Sequence, residues 1–263
     1  DSSRIIVSTT ASLATHTAIF SIKHFELAII DEASQILEPN IVGLLAAHNE
    51  GEQVINKFIL IGDHKQLPAV VQQDNNESAA DSPLLEEIHL PNCANSLFER
   101  LILTERAAGR TDFIGTLRKQ GRMHPDIAAF PNTYFYEREQ LECVPLAHQT
   151  EPNLPYNEPS EDKTDDFLKA HRMVFIPSKS CRKPYISEKV NTEEARIVAD
   201  LVRRLYRQMG TTFDAQKSIG IIVPYRNQIA MIRKELEQLC LPAIDKIRSE
   251  EHTSELQSPL IIS

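Results

Sequence analysis

Two acidic turns, each closing a short apolar run, carry the residues of this chain best suited to chemistry. They are Leu27-Ala28-Ile29-Ile30-Asp31-Glu32-Ala33-Ser34-Gln35 and Phe58-Ile59-Leu60-Ile61-Gly62-Asp63-His64-Lys65-Gln66-Leu67-Pro68. Adjacent carboxylates at a strand tip suit a nucleotide-Mg²⁺ centre, in which one holds the hydrated metal and the other orients or deprotonates the attacking water. Gln66 in the second turn offers a neutral contact to a terminal phosphate. Such groups must sit at the carboxyl ends of buried parallel strands, where open α/β sheets bind their ligands.

The elements that would place them there follow from the pattern of apolar runs. From Arg4 to about Arg106, short apolar runs alternate with helical stretches, which predicts an α/β fold, a parallel sheet flanked by helices. Strands are expected at 5–8, 27–31 and 58–62, a crossover helix at 41–47 and a short amphipathic helix at 96–101. Residues 75–82 read as a surface loop, and 104–112, with Gly109, as a hinge. Further on, strands are expected at 173–176 and 219–223. A helix opens at Asn191, with Glu194 as capping partner and Ile197, Val198, Leu201, Val202 and Leu205 as its apolar stripe. A last helix runs through Leu239. The polar, Pro-containing stretch 143–166 reads as an irregular insertion and its acidic run 160–166 as a solvated loop. Phe130, Tyr134, Phe135 and Tyr136 read as core, and His124 as fixing the turn beside Pro125.

A chain of 263 residues can hold two domains with sizeable cores. No apolar run approaches the ~20 residues that span a bilayer, so no membrane partner is expected, and the N-terminus carries no signal-peptide pattern. Cys93, Cys143, Cys181 and Cys240 lie far apart, which favours neither a zinc site nor a disulfide framework and points to a reducing cytoplasmic setting. The net charge of −9 argues against a broad basic coat for nucleic acid but leaves room for a narrow basic channel. Positive charge gathers in the helical stretches 196–207 and 226–234. Residues 248–263 read as the translation of a sequencing-library adapter and are set aside from fold reasoning, as a scar would be. With no initiator Met either, the chain reads as a fragment.

Five segments in order carry a resemblance: Ser8-Thr9-Thr10, Asp31-Glu32-Ala33-Ser34-Gln35, Gly62-Asp63-His64-Lys65-Gln66-Leu67-Pro68, Gln120-Gly121-Arg122-Met123-His124-Pro125 and Pro224-Tyr225-Arg226-Asn227-Gln228. Together they resemble superfamily 1 helicases, in the 5′-to-3′ branch that includes the nonsense-mediated-decay RNA helicase and its bacterial relatives. The likeness runs from about Arg4 to Leu239.

The resemblance implies an ATP- and Mg²⁺-dependent helicase ATPase with RecA-like P-loop NTPase domains, acting on single-stranded DNA or RNA. Residues 1–112 would form most of a first RecA-like domain, 113–247 part of a second, and 248–263 the adapter-derived tail. Asp31 matches the Mg²⁺-associated carboxylate, held through water, and Glu32 the base that positions water for attack on the γ-phosphate. Gln66 matches the residue that senses that phosphate, and Arg122 an arginine finger from the second domain. Ser8, Thr9 and Thr10 match a segment near the nucleic-acid strand, and Tyr225, Arg226 and Gln228 a second-domain motif facing it.

Departures accompany the match. Gly121 stands where the family often has an aromatic that packs on the nucleotide base, and Ala69 where a second Pro is common. No Gly-x-x-x-x-Gly-Lys-Ser/Thr phosphate loop occurs, and the 8 glycines hide no disguised version. In the family that loop precedes Ser-Thr-Thr, so it is expected upstream of Asp1, and the fragment alone is expected to be inactive. Two other readings stay open: a P-loop ATPase that remodels proteins without nucleic acid, and a nucleic-acid-binding module without catalysis.

Overall fold

The computed structural model describes residues 3–69, 71, 73–178 and 189–242, together with the backbone of 248–250 and 261–262. It divides into two compact units, Asp1–Thr116 and Leu117–Ser263.

In the first unit the strands Ala28–Ile30 and Phe58–Leu60 pair in parallel, Ala28 opposite Phe58 and Ile30 opposite Leu60. The pairing continues at both ends, from the Phe25–Ile55 bridge to the bond from Ile61 N to Ile30 O at 2.8 Å. Parallel strands need a crossover. Here it includes the helix Glu38–Leu45, which starts with Pro39 in its first turn and buries Ile41. Ile41 packs with Ile30, Ala33 and Leu97, the last from the helix Leu97–Ala107. That helix begins where Ser96 Oγ accepts from Glu99 N, and Arg100 grips Glu38 through paired hydrogen bonds. A second cluster of Phe20, Val54 and Ile55 closes the other end of the strand pair.

The second unit is built on the helix Thr192–Met209. Its N-cap Asn191 accepts from Glu193 N and Glu194 N, and Gly210 ends it at φ 51°, a conformation that suits glycine. The buried stripe Ala195, Val198, Ala199, Val202 and Leu205 meets Ile219, Ile221 and Val223 around the strand Gly220–Ile222, and Ile232 and Leu236 of the helix Arg226–Glu237. The backbone of Arg248–Glu250 and of Ile261–Ile262 pairs in parallel on either side of Gly220–Ile222. The segment set aside as adapter-like thus supplies ladder partners here. Nearer the unit's start, Lys119–Gln120 pairs in parallel with Glu142–Cys143, and the helix Pro125–Tyr134 follows, capped by His124 Nδ1 accepting from Asp126 N.

Several sequence expectations are corrected. Residues 5–8 and 173–176 form no strand, and Val7 and Phe175 are almost wholly exposed. The apolar runs at these places have no ladder partner among the described residues, and β structure needs one. The stretch 143–166 is not irregular throughout: it holds the helix Ala147–Thr150 and the start of the helix Lys163–Ala170. Its acidic run is not wholly solvated, because Asp165 is fully buried. Phe130, Tyr134 and Phe135 are exposed rather than core, with the Phe130 and Tyr134 ring centroids 4.8 Å apart and Phe135 edge-on to Phe130. Cys181 lies outside the described residues.

Candidate functional site

The two acidic turns are stitched together where the strands end. Ile61 N donates to Ile30 O, Ala33 N donates back to Ile61 O at 2.8 Å, and Asp63 N donates to Ser34 Oγ at 3.1 Å. Gly62 makes this approach possible: a Cβ there would stand 2.8 Å from Ser34 N and 3.1 Å from Ser34 Oγ. The glycine is required by closeness, not by a special backbone angle. Sequence reading passed over Ser34, whose buried hydroxyl joins the turns; its signal was a small hydroxyl residue directly after the carboxylate pair.

Asp31 and Glu32 are both exposed at the strand tip. Glu32 N donates to Asp31 Oδ1 at 3.0 Å. Glu32 itself is left-handed at φ 51°, ψ 36°, a conformation uncommon for non-glycine residues that is kept where the surroundings enforce it. The turn turns the chain sharply into the short 3-10 helix Ala33–Gln35 and holds the Glu32 side chain out to solvent. Gln35 Nε2 donates to Glu32 Oε2 at 3.0 Å, so one carboxylate oxygen is tethered while Oε1 has no hydrogen-bond partner among the described residues. In the second turn Asp63 Oδ1 accepts from Lys65 N, and Gln66 Nε2 donates to Asp63 Oδ2, both at 3.0 Å. Asp31, Glu32, Asp63 and Gln66 therefore lie on two adjoining turns of the same unit.

A hydrated divalent cation fits these donors. Among the described residues no group of three or more His, Cys, Asp or Glu could cage a metal. Mg²⁺ needs no such cage, since it keeps waters and takes one or two carboxylates along with phosphate oxygens. The open carboxylate of Asp31 offers that kind of contact.

Arg122 belongs to the second unit and is described there alone. Its backbone is held by Gln120 Oε1, which accepts from Arg122 N at 2.8 Å and Met123 N at 2.6 Å. The guanidinium is exposed and makes no hydrogen bond or ion pair among the described residues. Gly121, in the position discussed above, faces Leu146: a Cβ would lie 3.3 Å from Leu146 Cδ1.

The residues matched to a nucleic-acid strand divide. Thr9 caps the helix Thr10–Thr15, its Oγ1 accepting from Ser12 N, while Ser8 is exposed and Thr10 half-buried. Tyr225 is half-exposed at the N-cap of the helix Arg226–Glu237, with Lys189 Nζ 5.7 Å from its ring centroid. Arg226 is exposed beside it. Gln228 is buried, its Oε1 accepting from Asn191 N at 2.8 Å and its Nε2 donating to Asn191 O at 2.9 Å. Both ends of the amide bond the cap of the long helix, as a strand neighbour's peptide would.

Comparison with known proteins identifies the family. Two family profiles, each described as an AAA domain, match residues 1–74 and 93–254. The DNA replication ATP-dependent helicase/nuclease DNA2 of Xenopus laevis is 28% identical over 99% of this chain and 23% of its own length. The DNA polymerase alpha-associated DNA helicase A of Saccharomyces cerevisiae is 27% identical over 80% of this chain and 29% of its own length. Helicase SEN1 of the same yeast is 28% identical over 88% of this chain and 9% of its own length. The chain thus spans less than a third of the length of these relatives. With the longer AAA-domain match alone covering more than half of it, the chain belongs to the superfamily 1 helicases, with their P-loop NTPase fold.

Proposed function

We propose that this chain is the helicase part of an ATP-dependent motor that couples ATP-Mg²⁺ hydrolysis to movement along single-stranded DNA or RNA. The observation that carries it is the stitched pair of turns, which holds Asp31, Glu32 and Gln66 at the ends of two parallel strands around Gly62. Residues 1–112 are assigned to a first RecA-like domain and 113–247 to a second.

In this reading Asp31 presents its open carboxylate to the hydrated Mg²⁺, which supplies charge neutralisation on the phosphates. Glu32 accepts the proton of the attacking water at Oε1 while Gln35 keeps the other oxygen fixed. Gln66 contacts the terminal phosphate on releasing Asp63, which links hydrolysis to a change in the second turn. Arg122, whose guanidinium has no partner among the described residues, offers it to charge developing in phosphoryl transfer, where its planar fork suits phosphate oxygens better than an ammonium does. Ser8, Thr10, Tyr225 and Arg226 line the strand. Thr9 is assigned to the same segment through its backbone, since its hydroxyl caps a helix. A reducing cytoplasm is the setting we propose for it, a reading that its scattered cysteines support. Among the described residues no helix is long and apolar enough to cross a membrane.

The test uses the complete reading frame that encodes this chain. ATP hydrolysis should rise on adding single strands, and strand binding should weaken steeply with salt, because phosphate contacts release counterions. Hydrolysis indifferent to nucleic acid would favour the protein-remodelling ATPase. Strand binding without hydrolysis would favour a module that binds without catalysis.

A further inference from the structure

The loop that carries Arg122 is not held by a strand ladder beyond Gln120. It is held by side chains, and apart from Gln120 they come from a part of the chain that carries none of the recognised motifs. The one-turn helix Ala147–Thr150 supplies two of them. Gln149 is 1% exposed, and its Nε2 donates to both Gln120 O and Met123 O at 2.9 Å. Next to it, His148 Nε2 lies 2.9 Å from Gly121 O. From the neighbouring strand, Cys143 Sγ lies 3.3 Å from Met123 O and 3.0 Å from Gln120 Nε2. Gln120 completes the set, its Nε2 donating to Met123 O while its Oε1 takes the amides of Arg122 and Met123.

Gln149 is thus the buried donor that ties the first carbonyl of the turn to the last, with Arg122 between them. Its orientation follows from the network: turning the amide over would set Oε1 against two carbonyl oxygens. As placed, Oε1 has no partner among the described residues, a cost that a group present merely to fill space would not carry. Since the Arg122 side chain has no partner of its own among the described residues, only its backbone fixes where the guanidinium starts from.

We propose that Gln149, acting with Gln120, is a positioning residue for Arg122 that sets the direction in which its guanidinium leaves the loop. The proposal rests on the functional reading above for its catalytic consequence, though not for the clamp itself. Gln149→Met keeps the volume and removes both donated bonds, so the fold is retained while the tie is lost.

Two measurements on the complete protein decide it. Amide hydrogen exchange across residues 119–126 should quicken about tenfold in Gln149→Met, with Thr192–Met209 unchanged, because Gln120 O and Met123 O lose the one donor that ties them together, Gln120 O keeping Val144 N and Met123 O keeping Gln120 Nε2. Strand-stimulated kcat for ATP should fall about ten- to a hundredfold with KM within about twofold, as misplacing a catalytic group does. In an Arg122→Ala background, adding Gln149→Met should cost almost nothing more, since the two act as one unit. Unchanged exchange at 119–126 would overturn the clamp. A kcat loss that multiplies with that of Arg122→Ala would overturn the positioning role. A wild-type protein without ATP turnover would sink the functional reading and the catalytic role together, while the exchange result would still decide the clamp.

Discussion

Two acidic clusters in this chain meet opposite fates. Asp31 and Glu32 stand exposed at a strand tip, where among the described residues their side chains bond only Glu32 N and Gln35. Asp165, of the same chemistry, is wholly buried between the helices Lys163–Ala170 and Thr192–Met209. It accepts from Glu161 N at 2.9 Å and Arg204 Nη1 at 2.8 Å, and it pairs with Arg207. Arg204 also bonds Asp162 and Asp200, and its own pKa is driven well above the usual value by those hydrogen bonds. What separates a carboxylate available for chemistry from one committed to structure is therefore the number of donors it has collected. Asp165 is saturated. Asp31 and Glu32 keep open oxygens.

If that contrast is right, the buried cluster should dominate stability and the exposed one should hardly matter to it. Asp165→Ala leaves Arg204 and Arg207 without their shared partner, and we expect about 3–5 kcal/mol of lost stability. Calorimetric melting measures it; a loss below about 1 kcal/mol would break the comparison. A smaller effect is expected at the first turn, for a steric reason. Gly62→Ala drives a Cβ into Ser34, where the obstacle is backbone, so the stitched turns must part at a cost of about 1–3 kcal/mol. Faster exchange of the Asp63 and Ala33 amides should accompany it, and unaltered exchange would show that the turns do not depend on close approach.

Acid gives the gentlest probe. Asp162 is held below the usual carboxylate range by its hydrogen bond from Arg204. Asp200 is lowered too: burial works against its charge, and hydrogen bonds from Arg204 and Arg203 prevail. Depressed carboxylate values stabilise the fold fully above the unfolded pKa, and that stability is lost as pH falls through the folded one. Protection of the amides in Thr192–Met209, taken relative to the intrinsic exchange rate at each pH, should therefore stay level from about pH 7 to 5 and fall only below about pH 4. A fall already at about pH 6 would point to a group other than these carboxylates.

The same contrast explains what could be read from the sequence. The strands Ala28–Ile30 and Phe58–Leu60, the helix from Thr192 and its Asn191 cap are local patterns of apolar spacing and capping, and they appear where expected. So do the carboxylate turns, because their residues are contiguous. The burial of Asp165 depends on arginines about forty positions away, which no local pattern announces. Gln228 and Gln149 were hidden likewise, since a glutamine that imitates or ties backbone looks in sequence like any polar residue. Residues 5–8 and 173–176 failed in the other direction: a run of apolar residues predicts a strand, but only a neighbour makes one.

The central claim is that Glu32 moves the proton in ATP hydrolysis while adding little to the fold. The most direct test is single-strand-stimulated ATP turnover by Glu32→Gln in the complete protein, beside its melting temperature. The account predicts a fall in kcat of about 10²–10⁴-fold with unfolding free energy within about 0.5 kcal/mol of wild type. Turnover equal to wild type would contradict it.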